Sequence, residues 1–187
     1  MPLPQIKKLM PILRVGILLV TSLNMEPKMG LDLFIYSTKH HDSNPDYIEG
    51  ASVNTQGTCK SYPFLRWDSE FGCYTNYGAT DDLYEEAYWR KNWFICDFFG
   101  ARYYEVLSED KGDEYNADEA DFNCSYLKLT PKMVKDCMDA IKDYELEYWI
   151  DESNGYSKYD CLKMLSDVRL KMLYWEEPLD FYVMPWW

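Results

Sequence analysis

Large apolar side chains recur at three- and four-residue steps in three stretches of the chain. That spacing lines one face of an α-helix. Over residues 80–100 it joins Tyr84, Ala87, Tyr88, Ile95, Phe98 and Phe99, with Phe94 beside them. Thr80 or Asp82 suits the first cap, and Asp81, Asp82, Glu85 and Glu86 favour the positive end of the helix dipole. Gly100 reads as the stop. A second helix opens at Thr130-Pro131, a preferred cap followed by a preferred first residue. Its stripe is Val134, Cys137, Met138, Ile141, Tyr144 and Tyr148, broken by residues 151–155. A third spans about 157–175 on Cys161, Leu162, Leu165, Val168, Met172 and Trp175, and Pro178 closes that region.

Shorter stretches read as strands. Residues 31–36 are apolar or aromatic except Asp32, and Ser43-Asn44-Pro45-Asp46 after them is turn chemistry. Residues 47–53 suit a second strand. Residues 122–129 alternate, with Phe122, Cys124, Tyr126 and Lys128 on one face, and residues 179–184 suit a final strand. Residues 59–78 hold Tyr62, Phe64, Trp67, Phe71, Tyr74 and Tyr77 without a period, which predicts a long ordered loop with strand fragments and a candidate binding surface. Residues 101–107 fit helix and strand equally, and 108–114 read as an acidic loop. Strands and helices mix without regular βαβ alternation. The pattern therefore predicts an α+β fold, a single small domain with about three helices on a short, mainly antiparallel sheet.

Residues 1–28 stand apart. Lys7 and Lys8 precede an apolar run over 9–20, interrupted by Pro11 and Arg14. The order is that of a signal peptide, yet the run is too short to span a bilayer as a helix. An upstream extension outside the fold, a signal peptide and a surface-bound helix all fit. Met29-Gly30-Leu31-Asp32 looks like a protein start, which sets the acidic domain at 29–187.

The chain has 187 residues, 47% hydrophobic and 27% charged, enough for one folded domain with its own core. Aromatic residues reach 17%, a surplus that suits an aromatic core or a binding surface. Net charge is −13; residues 1–28 contribute +3, so the remainder carries −16. That charge disfavours direct contact with nucleic acid or anionic membrane and favours a protein partner with a basic surface.

Catalytic signatures are absent: no phosphate-binding glycine loop, dinucleotide fingerprint, His-Glu-x-x-His helix or Gly-x-Ser-x-Gly occurs. The six cysteines form no Cys-x-x-Cys pair, so no metal or cofactor is expected. Cys96, Cys137 and Cys161 fall on predicted helices among apolar neighbours, as buried free thiols do; a secreted chain would leave disulfides open. The only histidines, His40 and His41, are adjacent in a polar segment, and the spacing assigns neither a partner for base chemistry. Within Tyr88-Trp89-Arg90-Lys91-Asn92-Trp93, Arg90 and Lys91 form a basic island in an acidic chain. Trp89, Arg90, Lys91 and Trp93, with Trp67 and Tyr74 from the aromatic loop, are the candidate binding residues. The competing reading of Arg90 is an internal bond to a carboxylate.

Met29-Gly30-Leu31-Asp32-Leu33, Glu86-Ala87-Tyr88-Trp89-Arg90-Lys91, Trp93-Phe94 and Trp186-Trp187 together resemble a family of small uncharacterised proteins of tailed phages and prophages. Its members tend to start Met-Gly-Leu-Asp, carry a central Tyr-Trp-Arg-Lys helix and end on a Tyr- and Trp-rich strand. The resemblance covers nearly all of 29–187 and none of 1–28. This chain departs from it at Asn92 and Ile95-Cys96, where the family has a small residue and Ile-His, so no role for that histidine carries over. The resemblance implies a phage accessory protein in the cytoplasm of a bacterial host and transfers no activity. A non-enzymatic binder of a host or phage protein is the leading expectation, with inhibition of a defence or nucleic-acid-handling protein as one specific form. An enzyme or small-ligand binder with a pocket near Arg90, and a minor virion protein, are the alternatives.

Overall fold

A computed structural model describes residues 31–50, 62, 64–68, 70, 73–75, 83–117 and 120–186. The expected features over 1–28, 51–61 and 76–82 lie outside them. Five strands form an antiparallel sheet: β1 (Asp32–Lys39), β2 (Tyr47–Ile48), β5 (Tyr84–Arg90), β6 (Tyr126–Lys128) and β7 (Leu179–Trp186), in spatial order β2-β6-β7-β1-β5. A separate hairpin pairs β3 (Arg66–Asp68) with β4 (Cys73–Thr75). Four helices follow β5: α1 (Trp93–Lys111), α2 (Pro131–Asp143), α3 (Leu146–Glu152) and α4 (Lys158–Tyr174). The class is α+β, as the pattern predicts, with four helices rather than three.

The helix expected over 80–100 is two elements. Tyr84–Arg90 is an edge strand on β1, with Leu33 opposite Trp89 and Ile35 opposite Ala87. Ala87 and Trp89 point into the core and Tyr88 does not, the two-residue alternation of a strand. The Tyr-Trp-Arg-Lys segment is thus strand and turn, not helix. Asn92 caps the true helix by accepting a hydrogen bond from the Ile95 amide, and Lys91 makes the turn at φ 56°. Gly100 does not stop it. A Cβ there would stand 3.3 Å from the Phe122 ring, so Gly100 is a close-packing position inside α1. The helix runs on through 101–111, including most of the expected acidic loop, to Gly112.

The second expected helix also divides. Thr130 caps α2 by accepting from the Met133 amide, and Ser157 caps α4 the same way at Asp160. Between them Tyr144 turns extended, and Lys158 Nζ donates to the carbonyls of Lys142 and Tyr144. Tyr144 then packs its ring on Phe94, with centroids 4.6 Å apart. The expected strand over 122–129 shortens to 126–128, because Cys124 adopts φ 55° in the turn before it. The expected strand over 47–53 is described only at 47–48, and β7 runs two residues further than expected, to Trp186. Pro185 lies past the end of β6, where the ladder on that side asks for no N–H, and its carbonyl still accepts from the Cys124 amide.

Side chains of the sheet feed two apolar clusters. Leu33, Ile35, Ala87, Trp89, Leu127, Phe181 and Val183 face the helices and meet Phe99, Tyr103, Val134, Cys137, Ile141, Cys161, Leu165 and Val168. Ile48, Tyr126, Tyr182 and Met184 face the other way and are covered by Phe64, Leu65 and Tyr74. The described residues of the aromatic stretch therefore form a second layer over the sheet.

Candidate functional site

Two regions carry chemistry that the fold alone does not require. The first lies where β1 ends. Asp180 is only 5% exposed, in β7 directly opposite Thr38 of β1. Its carboxylate accepts from Lys128 Nζ at 2.8 Å, His40 Nδ1 at 3.0 Å and Asn44 Nδ2 at 2.7 Å. Burial alone would raise the pKa of this carboxyl, but the donors Lys128, His40 and Asn44 outweigh it and hold the value below the ordinary one. The segment around His40 is fastened from several sides: the His40 amide donates to the Pro178 carbonyl, Asn44 Nδ2 to the Lys39 carbonyl, and Tyr182 Oη to the Pro45 carbonyl. The buried carboxylate thus holds the His40 ring in one orientation. The ring is 41% exposed, and Nε2 faces the solvent side, 3.5 Å from the fully exposed Asp42. Two neighbouring oxygens, Thr38 Oγ1 and Asn44 Oδ1, are buried without a hydrogen-bond partner. His40 therefore stands between a buried carboxylate at Nδ1 and an exposed one beside Nε2. Among the described residues, no three His, Cys, Asp or Glu side chains gather as a metal ion requires.

The second region is the outer face of α4. Cys161, Leu165 and Val168 turn inward, while Leu170, Leu173 and Tyr174 point out at one-turn spacing, and Trp175 follows at the cap. Leu170 is 50% exposed, Tyr174 76% and Trp175 58%. Lys171 beside them bonds Glu86 and lies 4.9 Å over the Trp175 ring. Glu86 is the extra residue of a bulge in β5 and also accepts from Ser37 Oγ. α3 adds a further exposed apolar set, Leu146, Tyr148 and Ile150.

The residues singled out from the sequence are not gathered at one place. Trp89 is fully buried and Trp93 half-buried, both in the helix-side core. Trp67 and Tyr74 are cross-strand partners on the hairpin, rings 5.2 Å apart, on the opposite side of the sheet. Lys91 is a turn residue whose amide donates to the Leu31 carbonyl. Arg90 is exposed and stands across from Asp32, which also accepts from Tyr88 Oη at 2.7 Å. Its backbone is pinned by Tyr156 and Asn154 from the α3–α4 turn. Arg90 sits at one end of β1 and His40 beyond the other, about 26 Å away at the rise of an eight-residue strand. A pocket shared by Arg90 and a histidine is not what the fold builds. The sequence reading missed Asp180, Lys128 and Asn44, because 140 residues separate His40 from Asp180 and nothing local marks the pairing.

Fold and surface define an α+β domain of one antiparallel sheet with helices on one face and an aromatic layer on the other. No family model, curated protein or solved structure matches the chain.

Proposed function

We propose that the protein acts by binding another protein through the exposed apolar end of α4. The observation that carries this is the row Leu170, Leu173, Tyr174 and Trp175, four large apolar residues close together on the surface at the end of one helix. The net charge of −16 over residues 29–187 supports a partner with a basic face, and opposes direct contact with nucleic acid. The resemblance to small phage proteins supports a setting in the cytoplasm of an infected bacterium, with a host or phage protein as the target. The test is affinity purification from phage-infected cells with the wild-type chain and with Leu170→Glu/Tyr174→Ser. A partner held by the first and lost from the second is the expected result. Equal recovery by both removes this surface from the function.

A second reading rests on His40. Its Nδ1 is held by a buried carboxylate and its ring is partly exposed, with only the fully exposed Asp42 beside Nε2, so the site of a small ligand or of proton-transfer chemistry belongs there rather than near Arg90. Histidine-directed acylation by diethylpyrocarbonate, mapped by mass spectrometry, tests it. This reading requires His40 to react faster in the folded wild type than in Asp180→Asn, and equal rates sink it.

A further inference from the structure

We infer that the occupant of the α4 surface is an amphipathic helix with a basic flank, contributed by a partner protein; this rests on the protein-binding reading above. Shape, side-chain charge and backbone charge each point to it. The exposed residues form a ridge, not a cleft. Leu170, Leu173 and Tyr174 lie at i, i+3 and i+4 on the outer side of a regular helix. Such a ridge fits the groove between side-chain rows of another helix. Six residues from Leu170 to Trp175 rise about 9 Å, which two turns of a facing helix span.

Charge around the ridge is uneven. Three cations of α4 are engaged, and Lys39, cross-strand from Leu179, is exposed. Lys171 bonds Glu86, Arg169 Nε donates to the Pro131 carbonyl, and Lys163 pairs with Asp167 at 3.8 Å. Glu176 and Glu177, immediately after Trp175, are exposed and make no ion pair among the described residues. They follow the C-terminal end of α4, whose last carbonyls carry the negative pole of the helix. The ridge is therefore apolar along its length and negative at its end. A Lys or Arg on the partner helix there meets two carboxylates and a helix C-terminus together. An acidic partner would meet repulsion from the same groups.

The test uses the full chain and two synthetic 14-residue probes, an amphipathic Leu/Lys helix and its Leu/Glu counterpart, read by fluorescence anisotropy at low and high salt. The Leu/Lys probe is expected to bind and the Leu/Glu probe is not. Leu170→Glu/Tyr174→Ser should weaken Leu/Lys binding by at least about tenfold, as loss of central apolar anchors does. Glu176→Gln/Glu177→Gln should weaken it by about fivefold and flatten its salt dependence, as loss of two exposed ion pairs does. All four positions are exposed, so circular dichroism should show each variant folded. Leu/Lys binding that ignores Leu170→Glu/Tyr174→Ser overturns the inference, because general charge attraction then explains it. If the infected-cell partner depends on Leu170 and Tyr174 but is indifferent to salt and to Glu176→Gln/Glu177→Gln, the docking surface stands and the basic helix falls. A concentration-dependent dimer abolished by Leu170→Glu makes a second copy the occupant and overturns it. So does a full chain that binds the probe only after Lys7→Glu/Lys8→Glu/Arg14→Glu, since its own N-terminal segment is then the occupant.

Discussion

Asp180→Asn tests the physical account of the His40 region most directly. The substitution keeps the shape of the side chain and removes its charge. Three hydrogen bonds converge on that carboxylate, from Lys128, His40 and Asn44. A hydrogen bond to a charged group contributes about 1.5–3 kcal/mol, which sets the upper scale. Two effects reduce it. Lys128 and His40 are partly exposed, so water replaces part of what they lose. The variant also no longer buries a charge, which recovers desolvation energy. Asn44 is the donor with least recourse: it is buried, it keeps only the Lys39 carbonyl for Nδ2, and its Oδ1 already has no partner. The net loss expected at pH 7 is about 2–4 kcal/mol. For a chain of this length that lowers the melting temperature by roughly 5–15 °C. Urea unfolding followed by tryptophan fluorescence measures it. The pH dependence has a required sign. The pKa of Asp180 is depressed in the folded state, so its contribution is present above the unfolded carboxyl value of about 3.9 and is lost as pH falls through the lower folded value. The gap between wild type and Asp180→Asn must therefore close on acidification below about pH 4. A loss under about 0.5 kcal/mol at pH 7, or a gap that widens in acid, refutes the account.

Other outcomes follow from packing. A Cβ on Gly50 would lie 2.6 Å from the Asn123 carbonyl oxygen and 2.8 Å from the Cys124 backbone, so Gly50→Ala should destabilise by about 1–3 kcal/mol or more in the same unfolding assay. Burial pushes the Cys96 thiol up to about 12 and the Cys161 thiol up to about 11, and raises Cys137 as well. Alkylation at pH 8 read peptide by peptide should therefore leave these three unlabelled until denaturant is added. Leu170→Glu/Tyr174→Ser should shift stability by no more than about 0.5 kcal/mol per site, since both side chains are exposed, while removing partner binding.

Local chemistry made part of this fold legible in the sequence. Thr130-Pro131 starts α2 where its capping chemistry says, and Val134, Cys137, Ile141, Cys161, Leu165 and Val168 of the two expected stripes are buried, while Tyr148 and Trp175 from the same stripes are exposed. β1 and β7 read as strands from their apolar runs. Residues 84–100 misled because two periods coexist there. Tyr84, Ala87 and Tyr88 satisfy helical spacing, while Ala87 and Trp89 satisfy strand spacing, and only pairing with Leu33 and Ile35 decides between them. Gly100 looked like a stop because a glycine at a helix end and a glycine beneath a packed ring are the same letter. The polar cluster at Asp180 was invisible for a different reason. Its members come from β6, β7 and the segment after β1, and an acidic chain offers too many carboxylates to single one out. The α4 ridge was half legible: the inward stripe was read, but Leu170, Leu173 and Tyr174 gain meaning only once the packing leaves their side of the helix uncovered.

The order β2-β6-β7-β1-β5 places β7, the last of the described strands, in the middle of the sheet. That has a consequence for how the protein is made. β1 leaves the ribosome early, yet its partner β7 arrives about 140 residues later, and β6 has β7 as its only link to β1. Until then the helices have half a sheet to cover. Closing so long a loop costs about 4 kcal/mol in chain entropy before any strand pairing returns it. Assembly of the sheet is therefore expected only once β7 has been made, and slowly for the size of the domain. A nascent chain cut short before residue 179 lacks the central beam of the sheet, not a trimming from its edge, and should be cleared by proteolysis instead of persisting as a smaller folded form.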